Sequence, residues 1–330
     1  MFLNTDQIKQ QSLNAYGQWK KQWREQAKEH SKFEMKSLSD FENTGVGRAV
    51  LCIANGYSFE ENIETIRANQ KNVDILACDK TLGHCLENGI KPWAVILCDA
   101  NVSYEKYLEK YKDQLQDTIL FANVCANPKW AAGGNWKDIY FFVNMDVINS
   151  HEEFSKISGC NNFIPAGTNV SNAMVVFLTQ STNEGRRNFF GYDKILLIGF
   201  DYSWRHGGKY YAFDESGNGK TNYMRHIYAV DLGGNHCYTS NNLSFSVRWL
   251  EKYLQAFNLP VVNCTRNTIL TTKHFGKLDE QMNYNFKRHD QAQVKKVMKL
   301  REQALLAVKQ TEAALHAIGR DHFLGYLRSV

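Results

Sequence analysis

The 330-residue chain has no long apolar run, and this absence argues against a membrane-spanning helix. Its longest apolar runs, Ala173–Leu178 and Ile195–Phe200, are far shorter than the roughly 20 residues that cross a bilayer. The first residues also lack the charged-then-apolar design of a secretion signal. We therefore expect a soluble, cytoplasmic protein without a transmembrane segment.

Paired cysteine motifs are also missing, although the chain has eight cysteines. The cysteines are scattered, and no two of them are spaced as CxxC. Cys52, Cys78 and Cys98 fall within or at the end of strand-like runs, where a reduced thiol behaves as a small apolar side chain. The pattern argues against a disulfide framework and against a zinc site, and it predicts no metal ligands.

Three common nucleotide-binding signatures are absent as well. The chain contains no GxGxxG, no GxxxxGK[ST] and no DxD pair of carboxylates. The first absence argues against a conventional dinucleotide fingerprint, and the second argues against a P-loop kinase. Without a DxD pair, the manganese-diphosphate clamp of many sugar transferases has no support in the sequence.

From Arg48 onward, short apolar runs alternate with amphipathic segments. Continuous apolar strands alternating with helices predict a mostly parallel sheet covered on both faces, an α/β fold of the Rossmann-like kind. The predicted strands are Ala49–Ala54, Val73–Cys78, Ala94–Cys98, Thr118–Ala122, Ile139–Val143, Ile195–Phe200 and Val261–Asn263. The predicted helices cover residues 59–69, 81–88, 104–116, 169–181 and 243–257.

Helical segments flank this α/β region. We predict an N-terminal helical extension at 1–44, a nucleotide-binding catalytic domain at 45–275 and a basic helical segment at 276–330. The formal net charge is +5, and residues 285–330 alone carry nine Lys and Arg against four Asp and Glu. A basic terminal helix predicts packing on the domain or on a partner helix, or contact with a polyanion such as DNA or an acidic membrane surface. The terminal helices are also where a homo-oligomer would form.

Polar or small residues follow six of the predicted strands. In a parallel sheet these strand tips converge on one edge, which is where open α/β sheets bind ligands. One polar tip is weak evidence because Asp and Asn also cap helices, but six tips favour a site. The candidate residues at the tips are Asn55, Gly56, Ser58, Asp79, Asp99 and Asp201.

A second candidate wall is the turn Gly167-Thr168-Asn169, which enters an apolar helix. Free backbone N–H groups at such a helix start bind anions, so we predict that this turn holds phosphate. Beyond Asp201, the segment from Tyr202 to Tyr238 is rich in aromatic residues, histidine and glycine. We predict a mobile lid there, with a tyrosine hydroxyl stabilising a leaving phosphate and a histidine as general base.

Four segments resemble a known family: ANGYSF, ACDKTLGHCLENGIKPWAVILCDAN, PAGTNVSNAM and ILLIGFDYSW. They are similar to the motility-accessory-factor and 6-hydroxymethylpterin pyrophosphokinase-like (MptE-like) family, which includes flagellin glycosyltransferases and archaeal pterin pyrophosphokinases. The later segments YYAFD and YTSNN also resemble bacterial CMP-dependent sialyltransferases, which have a modified GT-A fold. The resemblance covers about residues 48–270.

The resemblance implies roles for individual residues. The family's glycine-rich turn falls on Ala54–Phe59, with Tyr57 where proline is usual. The tyrosine that supports the leaving phosphate corresponds to Tyr211. The catalytic histidine of the sialyltransferases aligns with Tyr238, and the nearest histidine is His236.

The leading hypothesis is a glycosyltransferase that uses a CMP- or UDP-linked sugar and a hydroxyl acceptor, such as protein or modified DNA. Asn55, Gly56, Ser58, Thr168 and Asn169 would hold the phosphates, and Asp79 and Asp99 would read the ribose or base. His236 or Asp201 would take the acceptor proton. One alternative is a pterin-type pyrophosphokinase using ATP and Mg²⁺, so the need for a divalent metal stays open. The other is a binding protein for nucleotides or nucleic acid.

Overall fold

The computed structural model describes residues 5–145, 150–165, 169–179, 188–205, 211–213 and 226–283, with backbone only for 5–12 and 226. All of them belong to one compact unit, Met1–Tyr284. Two candidate phosphate ligands, Gly167 and Thr168, lie outside the described residues. The predicted basic helix from residue 285 onward also lies outside them, so the two boundaries between the three predicted segments stay predictions.

A nine-stranded sheet forms the centre of the described structure, and every strand pairing in it is parallel. In space the strands follow the order β11-β10-β7-β1-β2-β3-β4-β5-β6. Their bounds are β1 Ala49–Ile53, β2 Asp74–Cys78, β3 Ala94–Leu97, β4 Ile119–Asn123, β5 Asp138–Asn144, β6 Phe163–Ile164, β7 Lys194–Ile198, β10 Val261–Asn263 and β11 His274–Phe275. The predicted α/β, Rossmann-like sheet is therefore confirmed.

The strands form where the sequence has unbroken apolar runs. Every residue of β1, β2, β3 and β4 is buried, as expected for strands covered on both faces. All seven predicted strands are present. The short strands β6 and β11, of two residues each, extend the two ends of the sheet and were not predicted.

Helices cover both faces of the sheet. They are α1 Thr5–His30, α2 Tyr57–Glu61, α3 Ile63–Asn69, α4 Leu82–Glu87, α5 Tyr104–Tyr107, α6 Pro128–Gly133, α7 His151–Ser158, α8 Val170–Thr179, α9 Asn241–Ala256 and α10 Leu278–Met282. The predicted helix at 59–69 is divided at Asn62, and the predicted helix at 104–116 is α5 followed by a 3₁₀ turn over Glu109–Gln114. Within the described residues, no helix has both the length and the apolar character that a membrane span requires.

The strand order changes direction beside β1. From β1 the chain adds β2 to β6 successively on one side, and β7 then pairs with the other side of β1. Such a switch point opens a crevice at the carboxyl ends of the two strands, where α/β proteins bind ligands. Asn55 and Gly56 follow β1, and Asp201 follows β7, so all three lie at this crevice.

One face of the sheet rests on an aromatic core. Phe121 of β4 and Phe177 of α8 have ring centroids 4.6 Å apart, and Phe190 lies 5.3 Å from Phe177. Phe41, from a 3₁₀ turn after α1, stacks on Phe190 at 5.5 Å. This packing fixes α8 against the sheet and therefore fixes where α8 begins relative to the strand tips.

The prediction of a loop from Tyr202 to Tyr238 is partly wrong, and the role of this segment as a lid stays a prediction. An antiparallel hairpin, formed by β8 His226–Val230 and β9 His236–Ser240, occupies the end of the segment from Tyr202 to Tyr238. Tyr202 and Trp204 are buried, and Trp204 pairs with Tyr238 of β9. The start and end of the segment are therefore packed structure, while residues 206–210 and 214–225 lie outside the described residues.

Candidate functional site

A cavity of about 580 Å³ opens at the carboxyl edge of the sheet. Its volume is in the range of sites that bind small molecules and cofactors. The loops and ends of five strands line it, from β7 through β1, β2 and β3 to β5. The lining residues at these strand tips include Asn55, Gly56, Cys78, Asp79, Cys98, Asp99, Asn144, Gly199 and Asp201.

Two glycines bring the Asp201 carboxylate against the tip of β1. A Cβ on Gly56 would lie 2.2 Å from Asp201 Oδ2 and 2.4 Å from the Gly199 carbonyl oxygen. Gly199 has φ +76°, and a Cβ there would lie 2.1 Å from the Ala54 carbonyl oxygen. The backbone N–H of Ser58 donates to Asp201 Oδ2 at 2.9 Å. The close approach of the β1 and β7 tips therefore requires that both positions lack a side chain.

Burial makes Asp201 a weak acid. Its side chain is 1% exposed, and loss of hydration raises the pKa of its carboxyl to about 7, although hydrogen bonds from Ser58 act in the opposite direction. Asp201 Oδ1 has no hydrogen-bond partner among the described residues. A carboxyl with a pKa near neutrality, in a residue that lines a cavity, is suited to exchange a proton with a ligand.

Asp79 and Asn55 carry two more buried oxygens without a partner in the described part of the chain, Asp79 Oδ2 and Asn55 Oδ1. Burial raises the pKa of the Asp79 carboxyl to about 6, and the nearby Asp99 contributes in the same direction. Asp99 itself is exposed, and it accepts a hydrogen bond from the Asn101 backbone N–H at 2.8 Å. Buried polar atoms are normally paired, so these three residues at the cavity hold hydrogen-bonding capacity that the described residues leave unused.

A short segment, residues 211–213, is fastened to the rim of the cavity. The N–H of Ala212 donates to the Asn55 carbonyl oxygen at 3.0 Å, and the N–H of Phe213 donates to Glu60 Oε2 at 3.0 Å. Tyr211 lines the cavity, and the Lys80 ammonium lies 5.4 Å from the centroid of its ring. The rim therefore combines a phenol with a cation, two groups that bind phosphate oxygens.

Two helices begin at the cavity. Val170 and Ser171 at the start of α8 line it, as do Asn242 and Leu243 at the start of α9. Helix N-termini favour anions because their first N–H groups have no partner within the helix. The two helix starts therefore offset part of the negative charge of the carboxylates.

Asn169 lines the cavity but also caps α8, since its Oδ1 accepts a hydrogen bond from the Asn172 N–H at 2.9 Å. Asn172 in turn joins three elements. The Tyr202 hydroxyl donates to Asn172 Oδ1 at 2.6 Å, and Asn172 Nδ2 donates to the Ser246 carbonyl oxygen of α9 at 2.9 Å. This buried network fixes both helix starts relative to the tip of β7.

The structure brings most of the described candidate residues together. Seven of them line the one cavity: Asn55, Gly56, Asp79, Asp99, Asn169, Asp201 and Tyr211. Ser58 is buried behind the wall, where its hydroxyl accepts a hydrogen bond from the Gly199 N–H at 2.9 Å. His236 lies on the exposed hairpin beside the Tyr228 hydroxyl and is not among the residues that line the cavity.

Sequence reasoning missed Lys80, the start of α9 and two residues of α1. Lys80 directly follows Asp79, so the strand-tip pattern that identified Asp79 also pointed to it. Ser240 caps α9 by accepting from the Leu243 N–H at 3.2 Å, a start signal visible in the sequence. Ala15 and Trp23 also line the cavity, although the helix that carries them was expected to be an extension.

The same residues also bear on metal binding. No group of three or more His, Cys, Asp or Glu side chains in the described ranges is arranged to hold a metal ion. Oxygen donors are nevertheless present at Asp79, Asp201 and Asn55, each with one unpaired atom among the described residues. Carboxylate and amide oxygens suit a hard cation such as Mg²⁺ better than zinc.

A protein of known structure has a similar fold. The chain resembles the MAf glycosyltransferase from Magnetospirillum magneticum AMB-1, with a TM-score of 0.56 and 14% sequence identity. The match covers 86% of this chain and 42% of that protein, so the chain spans less than half of its structural relative. No curated protein matches the chain.

A family model matches residues 21–207, more than half of the chain, and it is described as 6-hydroxymethylpterin diphosphokinase MptE-like. The matched range contains β1 to β5, β7 and the tips that carry Asn55, Asp79 and Asp201. The resemblance that the sequence motifs indicated is thereby confirmed, and the chain belongs to the MptE-like family.

Proposed function

We propose that the chain is a glycosyltransferase that takes a sugar from a nucleotide donor and passes it to a hydroxyl acceptor. The observation that carries this proposal is the cavity at the switch point, where three unpaired buried oxygens, one lysine, one tyrosine and two helix N-termini lie together. The fold shared with a glycosyltransferase supports an enzyme of group transfer, as does membership of a family described by a diphosphokinase.

The donor's phosphates would bind at the helix starts and the rim. Asn169 and the first N–H groups of α8 and α9 would receive the phosphate oxygens. Lys80 and the Tyr211 hydroxyl would stabilise the negative charge that develops on the departing phosphate as the glycosidic bond breaks. Asn55 would contact the ligand through its side chain, and Asp99 would contact the ribose or base. The space at Gly56 admits the Asp201 carboxylate.

Asp201 is the general base in this proposal. It lines the cavity, and a pKa of about 7 places its proton exchange near neutrality. It would take the proton from the acceptor hydroxyl while that oxygen attacks the anomeric carbon. Transfer should therefore accelerate as the pH rises through about 7. His236, the other candidate base, lies on the exposed hairpin.

The second candidate is a diphosphokinase that moves pyrophosphate from ATP to the hydroxyl of a pterin-like alcohol. The description of the family favours it. Asp79 and Asp201 would then hold Mg²⁺ through their unpaired oxygens, and the ion would neutralise charge on the phosphates. In this reaction, too, the acceptor hydroxyl has to lose its proton, and the same cavity would bind the nucleotide.

Calorimetric titration with CMP, UDP, and ATP with Mg²⁺ separates the two candidates. The glycosyltransferase proposal predicts that CMP or UDP binds and that donor sugar is turned over with a protein or DNA acceptor. Binding of ATP with Mg²⁺, without binding of CMP or UDP, would replace it with the diphosphokinase. If none of the nucleotides binds, both enzyme proposals fail.

The Lys80→Ala variant tests the site within the same assay. Loss of a charge-assisted contact to phosphate should weaken nucleotide binding roughly 10- to 100-fold. Lys71→Ala is the matched control, because Lys71 is exposed and does not line the cavity. Equal affinities for the two variants would show that the nucleotide binds elsewhere.

A further inference from the structure

Helix α1 covers the β3-to-β5 end of the cavity. Gln26 Nε2 donates to the Ala100 carbonyl oxygen at 2.9 Å, and Gln22 Nε2 donates to Asn101 Oδ1 at 2.9 Å. Both acceptors follow β3. The ring of His30 is buried and hydrogen-bonded to the Val124 carbonyl oxygen, just beyond β4, at 2.8 Å. The helix is therefore held on the loops at the ligand edge of the sheet.

A second set of contacts holds the middle of α1 on α7. Tyr16 and Arg24 both donate to the carboxylate of Glu153. The rings of Tyr16 and Trp23 each meet Phe154 edge to face, at centroid distances of 6.3 and 6.2 Å. Anchored in this way, α1 presents Ala15 and Trp23, which are two helical turns apart on one side, to the cavity.

The cavity consequently has two chemically different ends. At one end, the tips of β7 and β2 carry Asp201, Asp79 and Lys80, and Tyr211 lies on the rim beside Lys80. The other end of the cavity lies at β3 to β5. Five strand spacings separate β5 from β7, which is a distance of roughly 24 Å. Helix α1 supplies the aromatic wall of this end. Trp23 is half-buried, so its indole touches Phe154 and still borders open space.

We propose that Trp23 stacks on the planar heterocycle of the bound ligand, and that the small Ala15, two helical turns away on the same side of α1, keeps the cavity open for the rest of the ligand. An indole face suits a flat aromatic ring of any base or pterin, because such rings attract each other mainly through stacking. Trp23 thus contacts the ligand directly and selects ligands with a ring, and the proposal rests on the nucleotide site proposed above.

Three variants at α1 test this, each titrated calorimetrically with the nucleotide that binds the wild-type chain and with 6-hydroxymethylpterin. Trp23→Leu should weaken binding of the ring-bearing ligand roughly 10- to 100-fold, while Trp23→Phe should restore most of it. Ala15→Leu keeps a good helix former but fills the space, and it should weaken binding as well. Trp19→Leu is the matched control, since Trp19 lies one turn away and does not line the cavity.

Tryptophan fluorescence provides a second readout. Ligand binding should quench the fluorescence of the wild-type chain, and at equal saturation it should quench that of Trp23→Phe much less. Which of the two ligands loses affinity in Trp23→Leu identifies the ring as base or pterin. Unchanged affinity in both Trp23→Leu and Ala15→Leu would overturn the inference, as would equal losses in Trp23→Leu and Trp19→Leu. If the wild-type chain binds none of the nucleotides, the proposed function fails first, and that result is distinguishable from a failure at Trp23.

Discussion

At the scale of single residues, the chemistry of the cavity depends on how closely the tips of β1 and β7 approach each other. Gly56 and Gly199 permit an approach that no side chain would allow. The approach buries Asp201, and burial gives its carboxyl a pKa of about 7. A structural feature of the backbone thus produces the acid strength that the proposed reaction uses.

Replacing Gly56 by alanine should disrupt this arrangement. The new Cβ would lie 2.2 Å from Asp201 Oδ2, so the carboxylate or the β7 tip has to move. We expect a loss of stability of about 1–3 kcal/mol and the loss of nucleotide binding. Chemical denaturation and calorimetry measure the two effects. Gly17→Ala is the control, because its Cβ meets nothing within 4 Å, and it should not destabilise the chain.

Replacing Asp201 by asparagine should stabilise the chain at alkaline pH while abolishing transfer. The folded-state pKa is raised from 3.8 to about 7, so the folded chain keeps a proton that the unfolded chain has already released. Wild-type stability should therefore fall as the pH rises from about 4 to about 7, and it should stay low above that range.

Asparagine keeps the acceptor for the Ser58 N–H without the charge. The free energy of unfolding of Asp201→Asn should equal that of the wild type at pH 4 and exceed it by on the order of 2–4 kcal/mol at pH 8. Urea denaturation of both proteins at the two pH values measures it. A constant difference between the two pH values would show that Asp201 is not the buried weak acid described above.

At the scale of elements, the starts of α8 and α9 are held at the cavity by one side chain. Asn172 accepts from the Tyr202 hydroxyl and donates to the Ser246 carbonyl oxygen. It is fully buried, so each of these hydrogen bonds replaces water that the side chain has lost. Without it, the two helix starts lose a direct link to the β7 tip, and the proposed anion site is held less firmly.

Asn172→Ala should therefore lower the free energy of unfolding by about 1–3 kcal/mol, because the Tyr202 hydroxyl is then buried without its acceptor. Nucleotide binding should weaken as well, since the helix starts lose their common support. Asn88→Ala is the matched control: its amide donates only within α4, to the His84 carbonyl oxygen at 2.8 Å. Equal losses of stability in the two variants would contradict the role given to Asn172.

At the scale of the whole molecule, the sequence predicted the sheet because unbroken apolar runs such as those of β1 and β4 have few other ways to be buried. It predicted the strand-tip edge for the same reason: parallel strands bring Asn55, Asp79 and Asp201 together wherever the helices lie. The hairpin β8–β9 was missed because its strands carry exposed aromatic and polar residues, and these read as a loop.

Side-chain chemistry that depends on tertiary contacts could not be predicted. The acidity of Asp201 follows from burial between two strand tips, and the wall formed by Trp23 follows from hydrogen bonds between residues more than 70 positions apart. His236, a candidate base because it is the histidine nearest to the aligned position Tyr238, lies beside Tyr228 on the hairpin. Only the pairing of β8 and β9 determines that position.

The most direct test of the nucleotide site is a crystal structure of the chain soaked with the nucleotide that binds most tightly in titration. We predict phosphate density within hydrogen-bond distance of Asn169, Lys80 and Tyr211, with the ligand lying against the unpaired oxygens of Asn55, Asp79 and Asp201. Density for the nucleotide on any other surface, with this cavity filled only by water, would contradict the account.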